Sequence, residues 1–234
     1  MTTSGTTSFN LDLGTAIEEA YERAGRRMQG GYDYRTARRT IDIMMAEWAN
    51  RGLNLWLVDE QSFTLTAGLS QVTLPADTID AIEVVYRTQS GVANGQTDLT
   101  INRISVSDWS AIPNKLDTGS RPLQYYINRL QPAPVMHLWP VADGSQAGSV
   151  TYWRLRRIQD AGAPASNTMD MPFRFLPAFV AGLAYHLALK NPSLMPRVAM
   201  LKQIYDEQFA LSAAEDRDRA PVRFIPYMVP VTYN

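Results

Sequence analysis

Carboxylates are the side chains here most able to do chemistry with little help, because glycoside hydrolysis needs only two of them. Adjacent pairs such as Glu18-Glu19 and Asp59-Glu60 are the first candidates. Glu18 and Glu19 fall in a helical pattern, where sequence neighbours point in different directions, so they read as solvated. Asp59-Glu60 precedes a strand pattern and could face a cleft. No glutamate lies in an apolar run of the kind that raises a carboxyl pKa for general-acid work. The two histidines, His137 and His186, have no metal-ligand companion at useful spacing. His186 sits in an apolar helical stretch and reads as a hydrogen-bonded histidine of a core or an interface. The absence of cysteine rules out disulfides, thiolate metal sites and a Cys nucleophile. Phosphate-binding GxxxxGK[ST], dinucleotide-binding GxGxxG and nucleophile-elbow GxSxG motifs are missing as well. Trp48, Trp56, Trp109, Trp139 and Trp153 could stack on sugars or bases. Trp48, however, falls on the core face of a helix, where packing is the favoured role. Arg154, Arg156 and Arg157 form a small basic run, and alternation puts the first two on one strand face. An exposed sheet face is the favoured reading, with an acidic neighbour or passing DNA as the alternative. These residues predict no catalytic, metal or cofactor site, no cofactor and no enzyme.

The elements that must position such residues change character along the chain. The first ten residues are rich in Thr, Ser and Gly and read as a flexible N-terminus. Asp12 is a helix N-cap, with Ile17, Ala20, Tyr21 and Ala24 along one face of a helix through Arg27 that Gly30-Gly31 breaks. Asp33 caps a second helix that ends at Gly52. Its inner face is Ala37, Ile41, Met44, Met45 and Trp48, while Ile43 and Ala46 point elsewhere, so more than one side should be covered. Arg38 and Asp42 are spaced to pair on its outside. Period two then takes over: Phe63 and Leu65, a turn at 67–70, and Val72 and Leu74 read as a hairpin. Further strands are expected at 81–87, 98–103, 123–129, 135–139 and 150–157, with a short helix capped by Ser107. Helices return over about 172–190, apolar nearly all round, and about 196–218. The expected fold is α+β. It has a helical bundle from residues 11–58 and 170–219, a mostly antiparallel β lobe over 59–158, and an extended, proline-punctuated tail over 220–234.

Composition bounds the partners. Of 234 residues, 45% are hydrophobic and 10% aromatic, while only 19% are charged, below the usual quarter or so. That balance suggests surface covered by other chains. A net charge of −1 gives no basic field to hold nucleic acid by counterion release. MTTSGTTSFN lacks the basic and apolar regions of a secretory signal. The most apolar stretch, 175–189, is shorter than a membrane span of roughly 20 residues needs. A soluble protein assembled in a cytoplasm, with no membrane contact, is the expectation.

The run Gly31-Tyr32-Asp33-Tyr34-Arg35-Thr36-Ala37-Arg38-Arg39, followed by Ala46-Glu47-Trp48-Ala49-Asn50-Arg51-Gly52-Leu53-Asn54-Leu55-Trp56, resembles the N-terminal region of head-to-tail adaptor proteins, or tail accessory factors, of short-tailed bacteriophages. Upstream, Ile17-Glu18-Glu19-Ala20-Tyr21-Glu22-Arg23-Ala24-Gly25 is similar too. So are Phe63-Thr64-Leu65-Thr66-Ala67-Gly68 and Val72-Thr73-Leu74-Pro75-Ala76-Asp77, and together these segments cover roughly the first 90 residues. Their residues have structural uses. Glu47 and Arg51 are spaced to pair, Gly52 ends a helix, and Trp48 and Trp56 flank the corner. Arg35, Arg38 and Arg39 crowd one segment and would face carboxylates of a helix or a neighbouring subunit. The resemblance implies a structural virion protein at the head-to-tail junction. It implies a ring of twelve subunits beneath the portal protein, lengthening the DNA packaging and ejection channel and carrying the tail nozzle or tube. DNA would pass through the lumen without specific binding. The apolar residues Phe224, Ile225, Tyr227, Met228, Val229 and Tyr233 are the expected contacts of the tail with the portal or an adjacent subunit. A virion-borne peptidoglycan hydrolase using Asp59-Glu60, or a carbohydrate- or peptide-binding module using the tryptophans, remains the alternative.

Overall fold

Helix α1 (Leu13–Ala24) begins at Asp12, whose carboxylate accepts from the Thr15 backbone N–H at 2.8 Å. It stops at Gly25, before Arg27 and before the expected break at Gly30-Gly31. Gly25 takes φ 93°, and the Gly25 and Arg26 N–H groups donate to the carbonyls of Glu22 and Tyr21, closing the helix end. The computed structural model describes residues 5, 11–52, 55–161 and 168–216. Helix α2 (Gly31–Asn50) starts two residues before Asp33, which is therefore no N-cap. Instead, its buried carboxylate accepts from Gln29 N at 3.0 Å and from Arg26 Nη2 at 3.0 and 3.1 Å, fixing the α1–α2 corner. Tyr21 Oη donates to the Asp33 carbonyl at 2.9 Å from the other side. Burial, then the Asp33 charge, pushes the Tyr21 hydroxyl up to about 12. α2 ends as expected, with Gly52 at φ 79°.

The C-terminal helices α4 (Leu176–Ala188) and α5 (Met195–Glu215) pack against the N-terminal pair. α4 is buried by α1, α2 and α5, which explains its nearly all-round apolar sequence. Phe173 belongs to a single 3-10 turn before it and is 61% exposed.

Between the helix pairs the strands form two main sheets. β1 (Val58–Leu65), β3 (Thr78–Thr88), β4 (Thr97–Thr100) and β10 (Gly148–Arg156) make an antiparallel sheet in the order β1-β10-β3-β4. β2 (Gln71–Thr73), β5 (Asn102–Arg103), β7 (Gln124–Asn128) and β8 (Val135–Trp139) make a second, β2-β8-β7-β5, in which β5 runs parallel to β7. β6 (Thr118–Gly119) and β9 (Val141–Ala142) add a short parallel pair.

The expected hairpin over 63–74 does not form. β1 pairs with β10 from Val58↔Leu155 to Leu65↔Gly148, while β2 pairs with β8. Gly68 at φ 81° donates its N–H to the Ala142 carbonyl at 2.8 Å, which ties the turn to a third segment and carries the chain from one sheet to the other. The strand expected at 98–103 likewise divides at buried Ile101, sending β4 to the first sheet and β5 to the second. Leu65, Tyr86 and Val150 from the first sheet meet Tyr125, Met136 and Leu138 from the second in one core. Helix α3 (Val106–Ala111) is capped by Ser105, not Ser107, through a reciprocal capping box with Asp108. The fold is α+β, with chain-end helices packed together and largely antiparallel sheets between them.

Candidate assembly surface

The residues shared with the resembling family hold a corner. Trp48 is fully buried and its Nε1–H donates to Tyr205 Oη at 2.8 Å, joining α2 to α5. Its ring lies 5.6 Å from Phe175 and 5.5 Å from Phe209, while Trp56 stands 5.0 Å from Phe175. Trp56 also donates its Nε1–H to the Asp170 carbonyl at 3.0 Å. Arg51, paired with Glu47, spreads its guanidinium over Phe209 at 4.3 Å and Tyr205 at 5.6 Å. His186 does not meet its expectation. Its Nε2 is buried without a hydrogen-bond partner, and Glu47 Oε2 at 3.7 Å makes an electrostatic contact only. Burial holds its pKa below the ordinary value against the pull of Glu47. Burial also lowers His137, whose ring lies 5.3 Å from that of Trp109 and 5.9 Å from that of Tyr126.

The carboxylates that could have been an acid and a base are engaged in ion pairs. Asp59 Oδ1 accepts from Arg154 Nε at 2.8 Å, and Asp77 Oδ1 from Arg154 Nη1 at 2.5 Å. Burial raises the Asp59 carboxyl, but hydrogen bonds from Arg154 and Gln61 outweigh it and leave the pKa below the ordinary value. A general acid needs the opposite shift. Glu60, the next residue on the strand, pairs instead with Arg87 at 3.1 Å. Glu19 pairs with Arg23 at 2.7 Å. The basic run is no exposed sheet face: Arg154 is 6% exposed, and Arg156 binds Asp170 at 2.5 and 2.9 Å. Alternation along β10 is intact, since its pairing with β1 is unbroken and the residues skipped at the register shifts, Ile79 and Ile82, lie on β3. It sets Arg154 on the face of buried Val150 and Tyr152, and of the three arginines only Arg157, past the strand, is exposed. Among the described residues, no group of three His, Cys, Asp or Glu could hold a metal ion, and no helix is long and apolar enough to cross a membrane.

The outer face of α2 carries three cations that form no ion pair among the described residues. Tyr32 is 69% and Ile43 68% exposed, with Ala46 open beside them. The coverage expected from the sequence is not supplied by the described residues of this chain. Arg35, Arg38 and Arg39 line a depression of about 490 Å³ with Tyr32 and Asp42. None of the three forms an ion pair among the described residues. The expected Arg38–Asp42 pair is absent, and Asp42 Oδ1 instead accepts from the Ala161 backbone N–H at 3.2 Å. An adjoining cleft of about 410 Å³ brings Arg39 and Ile43 against Lys190, near the end of α4. Lys190 Nζ donates to Thr40 Oγ1 at 2.6 Å. Burial, then Arg39, lowers its pKa. Lys190, Tyr205 and Asp77 are the participants that sequence reasoning missed. Each lies far along the chain from its partner, and no local pattern marks it.

Many polar side chains of this α+β fold fix internal corners, and three arginines without ion pairs among the described residues share one helix face. The family model described as SU10 adaptor protein matches residues 12–225, and the chain belongs to that family, a phage head-to-tail adaptor family with a structural role. No curated protein matches the chain. Of the expected site residues, Glu47, Trp48, Arg51, Gly52 and Trp56 stand together at the internal corner, Asp33 fixes the α1–α2 turn, and Tyr32, Arg38 and Arg39 lie on the α2 face. Phe224, Ile225, Tyr227, Met228, Val229 and Tyr233 lie outside the described residues.

Proposed function

We propose that this protein forms a ring, about twelve-fold by family resemblance, beneath the portal protein at the head-to-tail junction of the virion. The ring extends the channel through which DNA passes and presents a platform for the tail nozzle or tube. In this reading residues 11–58 and 170–219 act as the helical bundle, 59–158 as the β lobe, and 220–234 as a docking tail on the portal or a neighbouring subunit. The observation that carries it is the family match over residues 12–225, which spans both helix pairs and the β lobe and reaches Phe224 and Ile225. The net charge of −1 supports a lumen that does not hold phosphates. Burial and pairing of Arg154 and Arg156 remove two cations that could otherwise have faced DNA. The test is to mix the full chain with portal rings and measure the mass of the product. One adaptor per portal subunit is expected, and a monomer that ignores the portal overturns the reading.

A further inference from the structure

We infer that the arginine face of α2 is one half of the contact between adjacent copies of this chain, and that the carboxylates Glu18 and Glu22 on α1 are the other half. This rests on the ring reading above. In a closed ring of identical subunits, two different patches of one chain must fit each other. Arg35 and Arg39 stand one helical turn apart on the side of α2 away from its buried residues. Glu18 and Glu22 stand one turn apart on the exposed side of α1. Neither glutamate forms an ion pair among the described residues, whereas Glu19 is taken by Arg23 and, on α5, Asp206 by Lys202. α1 and α2 both pack on α4 and are tied together at Asp33, yet Glu18 and Glu22 on α1 and Arg35 and Arg39 on α2 all stay exposed, so one copy can present either ridge to a different neighbour. The partner's chemistry is narrowed by what surrounds the arginines. Exposed Tyr32, Ile43 and Ala46 offer apolar area suited to a helix surface of a neighbouring chain. Lys190, exposed and with no carboxylate partner among the described residues, gains an acceptor for its charge if a neighbouring carboxylate enters the cleft beside Arg39.

Charge reversal and re-reversal tests this in the full chain. Arg35→Glu with Arg39→Glu, and separately Glu18→Lys with Glu22→Lys, should each lower the yield of portal-bound rings about tenfold or more, because like charges then face each other. All four substitutions in one chain should restore the rings, since every contact then pairs opposite charges again. Unchanged thermal melts of the free variants establish that the fold survives, and Arg35→Gln with Arg39→Gln supplies a milder pair with a smaller loss. If wild type forms rings and neither reversal matters, the inference fails while the ring stands. If only the arginine reversal matters, or the four-fold variant stays defective, the face binds portal or DNA and the inference is overturned. If wild type forms no ring, the underlying reading fails first.

Discussion

Asp59 shows how a residue can read as a site and serve as a support. In sequence, Asp59-Glu60 is a bare carboxylate pair; in space, Asp59 and Asp77 flank a buried Arg154 and leave Glu60 with Arg87. Asp59→Ala is expected to cost about 1.5–3 kcal/mol in urea unfolding, the range of a lost hydrogen bond to a charged group. Glu60→Ala, which removes an exposed contact, should cost under about 1 kcal/mol. The pair thus separates a structural role from a catalytic one, because catalysis would make the two losses alike in activity and silent in stability. The pH dependence has a fixed sign. The Asp59 carboxyl titrates lower in the folded chain than its ordinary 3.8, as do those of Asp98 and Asp170. Their stabilisation is therefore full above that ordinary value and is lost as pH falls through the folded value. Unfolding free energy measured from pH 5 downward should decline, and Asp59→Asn should flatten part of that decline. A profile identical to wild type would remove Asp59 from the account.

At the scale of elements, helices were legible and strand pairing was not. The core face of α2, from Ala37 to Trp48, follows from a 3.6-residue period, and its Gly52 stop follows from the left-handed conformation a glycine permits. Strand partners have no such local signature. Alternation in 63–74 says that two strands exist but not that Gly68 hands the chain to another sheet. The same limit explains Arg154: alternation sets it beside Val150 and Tyr152, but which face is covered, and that Asp59 and Asp77 wait there, depends on strand pairing that no local pattern encodes. Close approach of elements was equally hidden. A Cβ on Gly182 of α4 would come within 2.7 Å of Tyr205 Cε2 and 2.9 Å of Met44 Sδ, where α2, α4 and α5 converge. The Tyr205 ring is held by Trp48 and cannot swing clear. Gly182→Ala is therefore expected to destabilise by about 1–2 kcal/mol, overpacking exceeding the gain in helix propensity. Urea midpoints would show it, and a stabilised variant would mean the three helices yield more easily than their packing implies.

For the whole molecule the question is which surfaces belong to the subunit and which to the particle. Two apolar clusters, one among the helices and one between the sheets, are built from the described residues. The last described helix, α5, already closes over α4 through Leu201, Tyr205 and Phe209. The proposed docking residues Phe224, Ile225, Tyr227, Met228, Val229 and Tyr233 belong, in this reading, to the particle rather than to either core. Pro221, Pro226 and Pro230 keep that segment from extending α5 as a helix and restrict the unbound chain, which lowers the entropy lost on docking. In the proposed ring each copy would contribute a modest contact, repeated around the portal, so the joint would depend steeply on the contact being present in every subunit. Deleting residues 221–234 is expected to leave the urea midpoint of the free subunit within error of wild type while reducing portal-bound adaptor by about tenfold or more. Measuring both quantities on the same preparation separates the two roles. A lowered midpoint would make the segment part of the fold, and an undiminished yield of portal-bound rings would make it dispensable for assembly. Only loss of the particle with retention of the subunit agrees with a docking tail.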